Sequence, residues 1–418
     1  MRQSDVDIIR TQVEVVRRTN LRTGVDRPSG FRYTYLCPSP SEYRWQRFWD
    51  SCFHAVVMAR VDPELAVAEL RTLIGAQEPD GFIGHISFWG GSFFGDMWGR
   101  LQSTYAWRQQ HTALIQPPVL AQAVERVAEL LGDAWLPTEF VEPLDRYHQW
   151  LAEHRVPDDD GLLVIISPYE SGMDQSPTYD EIMGVRGKAG RWGLSIRDRW
   201  LDLRNTIDNY NSDKLVRANR FRVKDALVNA LYADSLATMA RLHRRHGQSR
   251  MADGYASRAS TVVASLMVKL WDRSRGAFFS VYGAAERRTE PLTVGALMPL
   301  VVQELPEEAA QMLVERHISN REEFFLPYPV ASVAATEKSF DPRSKGLIWR
   351  GPSWVNTNWL LWRGLGRHGF HDLAAQLAER TVAMVAQSGL REFYHPYTGQ
   401  GLGARNFGWS GLALDMAG

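Results

Sequence analysis

The chain has 418 residues in which 48 Lys and Arg balance 48 Asp and Glu. There is therefore no global basic field of the kind that draws nucleic acid, and a composition 44% hydrophobic and 23% charged excludes disordered, collagen-like and coiled-coil classes. The unusual feature is aromatic: 15 Trp, 14 Tyr and 17 Phe supply ring faces that fill a core or stack on a ligand ring, as in sugar-binding clefts.

In chain order, the N-terminal MRQSDVDIIRTQVEVVRR has charges every few residues and no apolar h-region. No stretch approaches the ~18 apolar residues of a membrane span. Neither a signal peptide nor a membrane span is expected. Cys37 and Cys52 are too few for a disulfide framework and lack zinc-site spacing, which points to a reducing compartment, the cytoplasm.

Apolar residues then recur at helical spacing from end to end, for example Val119, Leu120, Ala123, Val124, Val127, Leu130 and Leu131, and Phe370, Leu373, Ala374, Leu377, Ala378, Thr381, Met384 and Val385. Asp62-Pro63-Glu64 reads as an N-cap with Pro at the first helical position, and Gly132, Gly247 and Gly369 fall where C-caps belong. This punctuation predicts about twelve helices, over 5–19, 49–60, 63–76, 117–132, 140–155, 223–246, 250–272, 291–301, 306–315, 353–367, 370–387 and 409–415. Strand-like runs such as 162–166 and 277–281 are short and no βαβ alternation occurs, so the expectation is an all-α toroid of six helical hairpins. Long connections at 77–116, 156–222, 273–290, 316–352 and 389–408 would cap a cleft at one end of a single domain, 1–418. Within them, 185–222 carries ten Lys/Arg and four Asp/Glu and reads either as a basic lid or as a solvated surface loop.

Three segments carry groups suited to carboxylate chemistry. Ser167 to Pro177 sets Glu170 and Asp174 in a loop too irregular for a helix interior, where acids can face a cleft or simply accept loop amides. Ile348 to Trp359 alternates Trp349 and Trp354 with the donors Arg350, Asn356 and Asn358, a mixture that serves a sugar or a core. Arg391 to Gly403 places Glu392 among aromatics, whose desolvation raises a carboxyl's proton affinity, although a charged surface turn has the same spelling. Gly364 to Gly369 spells a dinucleotide fingerprint but follows a helix, and the i, i+3 pairs His243/His246 and His368/His371 lie at polar helix ends without further ligands, so no metal site is expected.

Phe48-Trp49-Asp50-Ser51, Gly81 to His85, Gln116-Pro117-Pro118, Glu170 to Asp174, Trp349 to Trp354 and Glu392 to Gly403 together resemble glycoside hydrolase family 63, within it the bacterial mannosylglycerate and glucosylglycerate hydrolase branch. The resemblance implies an (α/α)6 barrel and an inverting mechanism without a cofactor, with Asp174 as general acid and Glu392 as general base. Such a pair stands ~6.5–9.5 Å apart to admit a water. It further implies that Trp49, Asp50, Gln116, Trp349 and Trp354 line the sugar subsite, with Arg350 of the matching Trp-Arg-Gly-Pro segment and Trp409 as further substrate contacts, and that Glu170 orients the acid loop. Arg204 and Tyr210 keep the spacing of a glycerate clamp, guanidinium to carboxylate. Departures at Gln175, His395 and Trp409-Ser410-Gly411 bear on substrate identity.

The expected partner is a small, anionic carbohydrate, and zero net charge leaves a homo-oligomer open. Alternatives from the same residues are an α-glucosidase on neutral oligosaccharides, a sugar epimerase using His85 or His395, and a non-catalytic sugar-binding protein.

Overall fold

A computed structural model of the chain describes residues 1–27, 29–90, 107–108, 111–185, 191–343 and 347–418. Two kinds of helix appear, and the sequence explains both. Phe48–Met58 buries every residue, Asp50, Ser51 and His54 included, and Ala226–Arg245 buries nearly all of its length. Gln3–Asn20 instead buries only Ile9, Val13, Val16 and Asn20, a narrow stripe with charges on the rest. The first kind belongs inside a ring and the second outside it.

The inner ring closes. Phe48–Met58 packs on Leu120–Leu131, which packs on Ala226–Arg245, then in turn Val294–Val301, Val355–Arg367 and the terminal pair Gly408–Leu412 and Ala413–Ala417, the first of which returns to Phe48–Met58. Each inner segment but the last leads through a short turn, at 59–62, 132–135, 246–248, 302–306 or 368–370, into an outer helix: Pro63–Gly75, Leu136–Arg155, Ser249–Ser265, Glu307–Leu313 and His371–Ser388. The sixth outer helix is Gln3–Asn20, which packs against Gly408–Leu412 and Ala413–Ala417, so that hairpin is assembled from distant parts of the chain. The architecture is the expected (α/α)6 barrel, with all twelve predicted helical segments in its two rings.

Local signals hold at the ends of elements. The Asp62 side chain accepts from Leu65 N–H at 3.1 Å with Pro63 in the first turn, and Gly132, Gly247 and Gly369 end their helices at positive φ. Three expectations change. The predicted helix 291–301 is a 3-10 segment, Val294–Val301, with Pro299 inside it, where an amide donor is missing. The predicted helix 250–272 ends in a π turn, Leu266–Leu270, and Trp271–Asp272 pairs as a strand with Ala277–Phe278. The basic segment 185–222, read as loop, folds as Arg191–Ile207 and Ser212–Ala218; its residues 186–190 lie outside the described residues, as do 91–106 and 109–110 of the connection 77–116 and 344–346 of 316–352. The run 162–166 stays extended, with a single bridge from Ile165 to Val223. The connection 389–408 forms a hairpin, Arg391–Tyr394 with Gly401–Arg405. No helix among the described residues is long and apolar enough to cross a membrane.

Candidate active site

Because turns from inner to outer helices are short, the long connections all gather where the inner helices begin. Trp49 and Asp50 open the first inner helix, Gln116 precedes Leu120–Leu131, Trp349 and Trp354 precede Val355–Arg367, and Trp409 lies in Gly408–Leu412. Together with Asp174, Glu392, Tyr43, Arg47, His85, Tyr169 and Phe407 they surround one cavity of about 140 Å³. Asp50 sits in the first turn of its helix, where backbone N–H groups favour negative charge.

Glu392 enters from the hairpin strand Arg391–Tyr394. Its Oε1 accepts from the Tyr43 hydroxyl at 2.9 Å and its Oε2 from the Ala404 N–H at 2.9 Å, two donors that favour the ionised form. Burial opposes them and leaves the carboxyl above its ordinary range. Gly403 makes this geometry available: at φ +65°, a Cβ there would stand 2.5 Å from Glu392 Oε2.

Asp174 lines the same cavity, on the loop after Pro168–Ser171. Gly172, at φ +70°, lets that loop pass the Trp49 indole, whose Cη2 a Cβ would meet at 2.5 Å. Burial pushes the Asp174 carboxyl up to about 6, and the charge on Glu392 adds to the rise. Asp50, fully enclosed, is pushed to about 7 by burial, and its Oδ1 has no hydrogen-bond partner among the described residues. Three carboxyls with raised proton affinity thus face a single cavity.

Aromatic rings build the remaining wall. Trp349 and Trp354 stack with centroids 3.8 Å apart and planes 5° from parallel, Trp49 lies 6.4 Å from Trp349, and Trp409 meets Trp49 edge-on at 5.7 Å. Trp349 has φ +62°, in the left-handed region, where a bulky side chain stores strain. The Trp354 indole N–H has no partner among the described residues.

Four other predicted site residues lie elsewhere. Glu170 is fully buried outside the cavity: Arg155 Nη1 and Nη2 each donate to it at 2.7 Å, and the Ile115 and Ile166 N–H groups donate at 3.0 and 2.8 Å. This bonding fits a support for the acid loop and leaves no oxygen aimed at substrate. Arg350 forms a two-pronged pair with Asp180, at 2.8 and 2.5 Å, and so ties the tryptophan segment to the acid loop. Ile348 N–H reinforces that tie by donating to Gln175 Oε1 at 2.7 Å. Arg204 is exposed on Arg191–Ile207, and Tyr210 is buried with its hydroxyl on Asp202. The structure does not bring the Arg204 and Tyr210 side chains to the cavity.

Sequence reasoning missed Tyr43, Arg47 and Tyr169. Their signal was positional: they lie next to the start of an inner helix or within the acid loop, where a side chain faces the cavity. It also missed Asp198, on Arg191–Ile207, which burial and the neighbouring charge of Asp174 push up to about 7. Among the described residues, Asp158, Asp160 and Glu286 lie close enough together to hold a metal ion, and they surround lysine ammoniums. Lys224 Nζ lies 2.6 Å from Asp158, and Lys269 Nζ lies 2.6 Å from Asp160 and 2.8 Å from Glu286.

Two carboxyls lining one tryptophan-walled cavity on an (α/α)6 frame are those of a glycoside hydrolase. Residues 43–410 match the family described as mannosylglycerate hydrolase MGH1-like glycoside hydrolase domains, and the chain belongs to it. It is similar to a mannosylglycerate hydrolase of Thermus thermophilus, 32% identical over 92% of this chain and 96% of that one. It is also similar to the glucosylglycerate hydrolase of Mycolicibacterium hassiacum, 27% identical over 91% and 93%. A solved structure of a family 63 mannosylglycerate hydrolase from a second Thermus thermophilus strain, in complex with Tris and D-glycerate, superimposes with a TM-score of 0.83 at 28% identity, over 98% of this chain and all of that one.

Proposed function

We propose that the protein hydrolyses an α-hexosyl glycerate, glucosylglycerate or mannosylglycerate, with inversion at the anomeric carbon. Asp174 protonates the glycosidic oxygen as the bond to glycerate breaks, and Glu392 takes the proton of the attacking water. The observation that carries the assignment is the difference between the two carboxyls. Asp174 is pushed up to about 6 by burial, whereas Glu392 receives O–H and N–H donors on both of its oxygens. Asp50, Gln116 and the Trp354 indole N–H supply polar contacts for ring hydroxyls, and Trp49, Trp349, Trp354 and Trp409 supply the faces. Both proton transfers are supplied by the chain's own side chains. The names of the two relatives favour glycerate as the leaving group without choosing between glucose and mannose.

On this reading the chain acts as one catalytic unit, with Arg191–Ile207 on the acid's side of the site, since Asp198 on that helix feels the charge of Asp174. Two buried free cysteines, Cys37 and Cys52, support a cytoplasmic setting.

The deciding experiment offers purified protein glucosylglycerate, mannosylglycerate, trehalose, kojibiose and maltose and follows anomers by proton NMR. Release of β-hexose from an α-linked glycerate substrate is the expected result. Release of α-hexose would overturn inversion, and turnover of a disaccharide alone would overturn the glycerate assignment.

A further inference from the structure

An anionic substrate needs a cation where it binds, and the candidates among the described residues can be taken in turn. Arg155 is occupied by Glu170 and Arg350 by Asp180, both in two-pronged pairs. Arg204 is exposed outside the cavity wall, and Arg44 is exposed and rests over the Trp45 ring, its centre 5.2 Å from the centroid. Among the described residues lining the cavity, Arg47 alone carries a permanent positive charge.

The Arg47 backbone is held in place, and its half-buried side chain has no hydrogen-bond or ion-pair partner among the described residues. Its backbone is anchored twice, by strand pairing to Ile86 and as the residue that caps Phe48–Met58. Its guanidinium lies over the Tyr43 ring, 4.9 Å from the centroid, and the same ring sends its hydroxyl to Glu392. Among the described residues it makes no hydrogen bond or ion pair, although Asp50, Asp174 and Glu392 line the same cavity. Five N–H donors thus border a partly enclosed space without a partner among those residues. Without Arg47, an entering carboxylate would face the carboxyls of Asp50, Asp174 and Glu392 with no other cation among the described residues lining the cavity.

We propose that Arg47 binds the carboxylate of the substrate and so selects anionic glycosides over neutral ones. The inference rests on the glycerate reading above and assigns its specificity to a residue that no motif marked. A planar guanidinium matches a carboxylate with two parallel N–H···O bonds, a fit that neither a hydroxymethyl group nor a lysine ammonium reproduces.

The test compares hexosylglycerate with hexosylglycerol, in which CH₂OH replaces the carboxylate, using the full-length wild type, Arg47→Gln and Arg47→Lys. Circular dichroism and thermal melting first establish that each variant folds. Arg47→Gln is expected to lower kcat/KM for the acid at least ~30-fold more than for the glycerol compound, with Arg47→Lys between the two. The inhibition constant of free D-glycerate should rise in parallel, a readout that survives loss of turnover. Equal losses on both substrates would overturn the proposal and make Arg47 a tuner of the neighbouring carboxyls. An unchanged acid preference would overturn it by placing carboxylate recognition elsewhere. If the wild type cleaves only hexosylglycerol, or neither compound, the glycerate reading itself falls, which the wild-type data show before any variant is measured.

Discussion

The Tyr43 hydroxyl donates to Glu392 Oε1 at 2.9 Å, while the second carboxyl of the cavity, Asp174, is pushed up to about 6 by burial. Burial raises both carboxyls, and both limbs of the pH profile follow. The acid must be protonated, so kcat/KM should fall as pH rises through about 6. The base must be ionised, so it should also fall at low pH, as Glu392 gains a proton above the ordinary carboxylate range. Asp174→Asn should lower turnover at least ~100-fold and abolish the alkaline limb. Retention of that limb in the variant would remove Asp174 from the acid role.

Gly403→Ala addresses the base without touching its chemistry. The new methyl would stand 2.5 Å from Glu392 Oε2 and 2.6 Å from Phe393 Cε1, so the carboxylate has to move. A displacement near 1 Å costs up to about 100-fold in rate, and we expect a fall of about tenfold or more in kcat. Wild-type kcat in a folded Gly403→Ala protein would show that the placement of Glu392 is not critical.

Glu170→Ala separates support from binding. Removing one partner of a buried, hydrogen-bonded ion pair costs about 3–5 kcal/mol, because the Arg155 charge is left uncompensated. Denaturant unfolding should register a loss of that order. A stable variant with a raised KM would instead make Glu170 a substrate ligand.

Away from the site, Glu69 accepts from Leu36 N–H at 2.6 Å, and its Oε1 lies 4.0 Å from His54 Nδ1. Burial holds His54 down to about 3 and raises Glu69 to about 8, so at neutral pH both are uncharged and the contact is not an ion pair. A carboxyl raised on folding binds more protons folded than unfolded, so its stabilising contribution is full below about pH 4.5 and is lost as pH rises through about 8. Glu69→Gln should flatten the decline in unfolding free energy across that window. An identical pH slope in the variant would show that Glu69 titrates normally.

Much of the frame was legible because inner and outer helices are spelled differently. Phe48–Met58 is buried on every side and mostly apolar, Gln3–Asn20 is apolar on one stripe, and caps such as Asp62-Pro63 mark where helices begin. The helices at 191–218 were not legible, because ten basic residues over 185–222 give a solvated spelling and the longer helix leaves Ile196, Trp200, Leu203 and Ile207 exposed. Asp174, Glu392 and the tryptophans stood out as residue types in unusual loops. Glu170 and Arg350 stood out equally, yet pair with Arg155 and Asp180. Sequence spacing shows which groups share a loop, but the partner that satisfies a charge comes from another part of the chain.

The ring of inner helices is closed by Gly408–Ala417 docking on Gln3–Asn20 and Phe48–Met58, and Trp409 of that segment walls the cavity. A ribosome must therefore translate past residue 417 before the barrel can seal. Until then the apolar flanks of Phe48–Met58 and Val355–Arg367 lack their neighbour, and the nascent chain presents an open seam to chaperones.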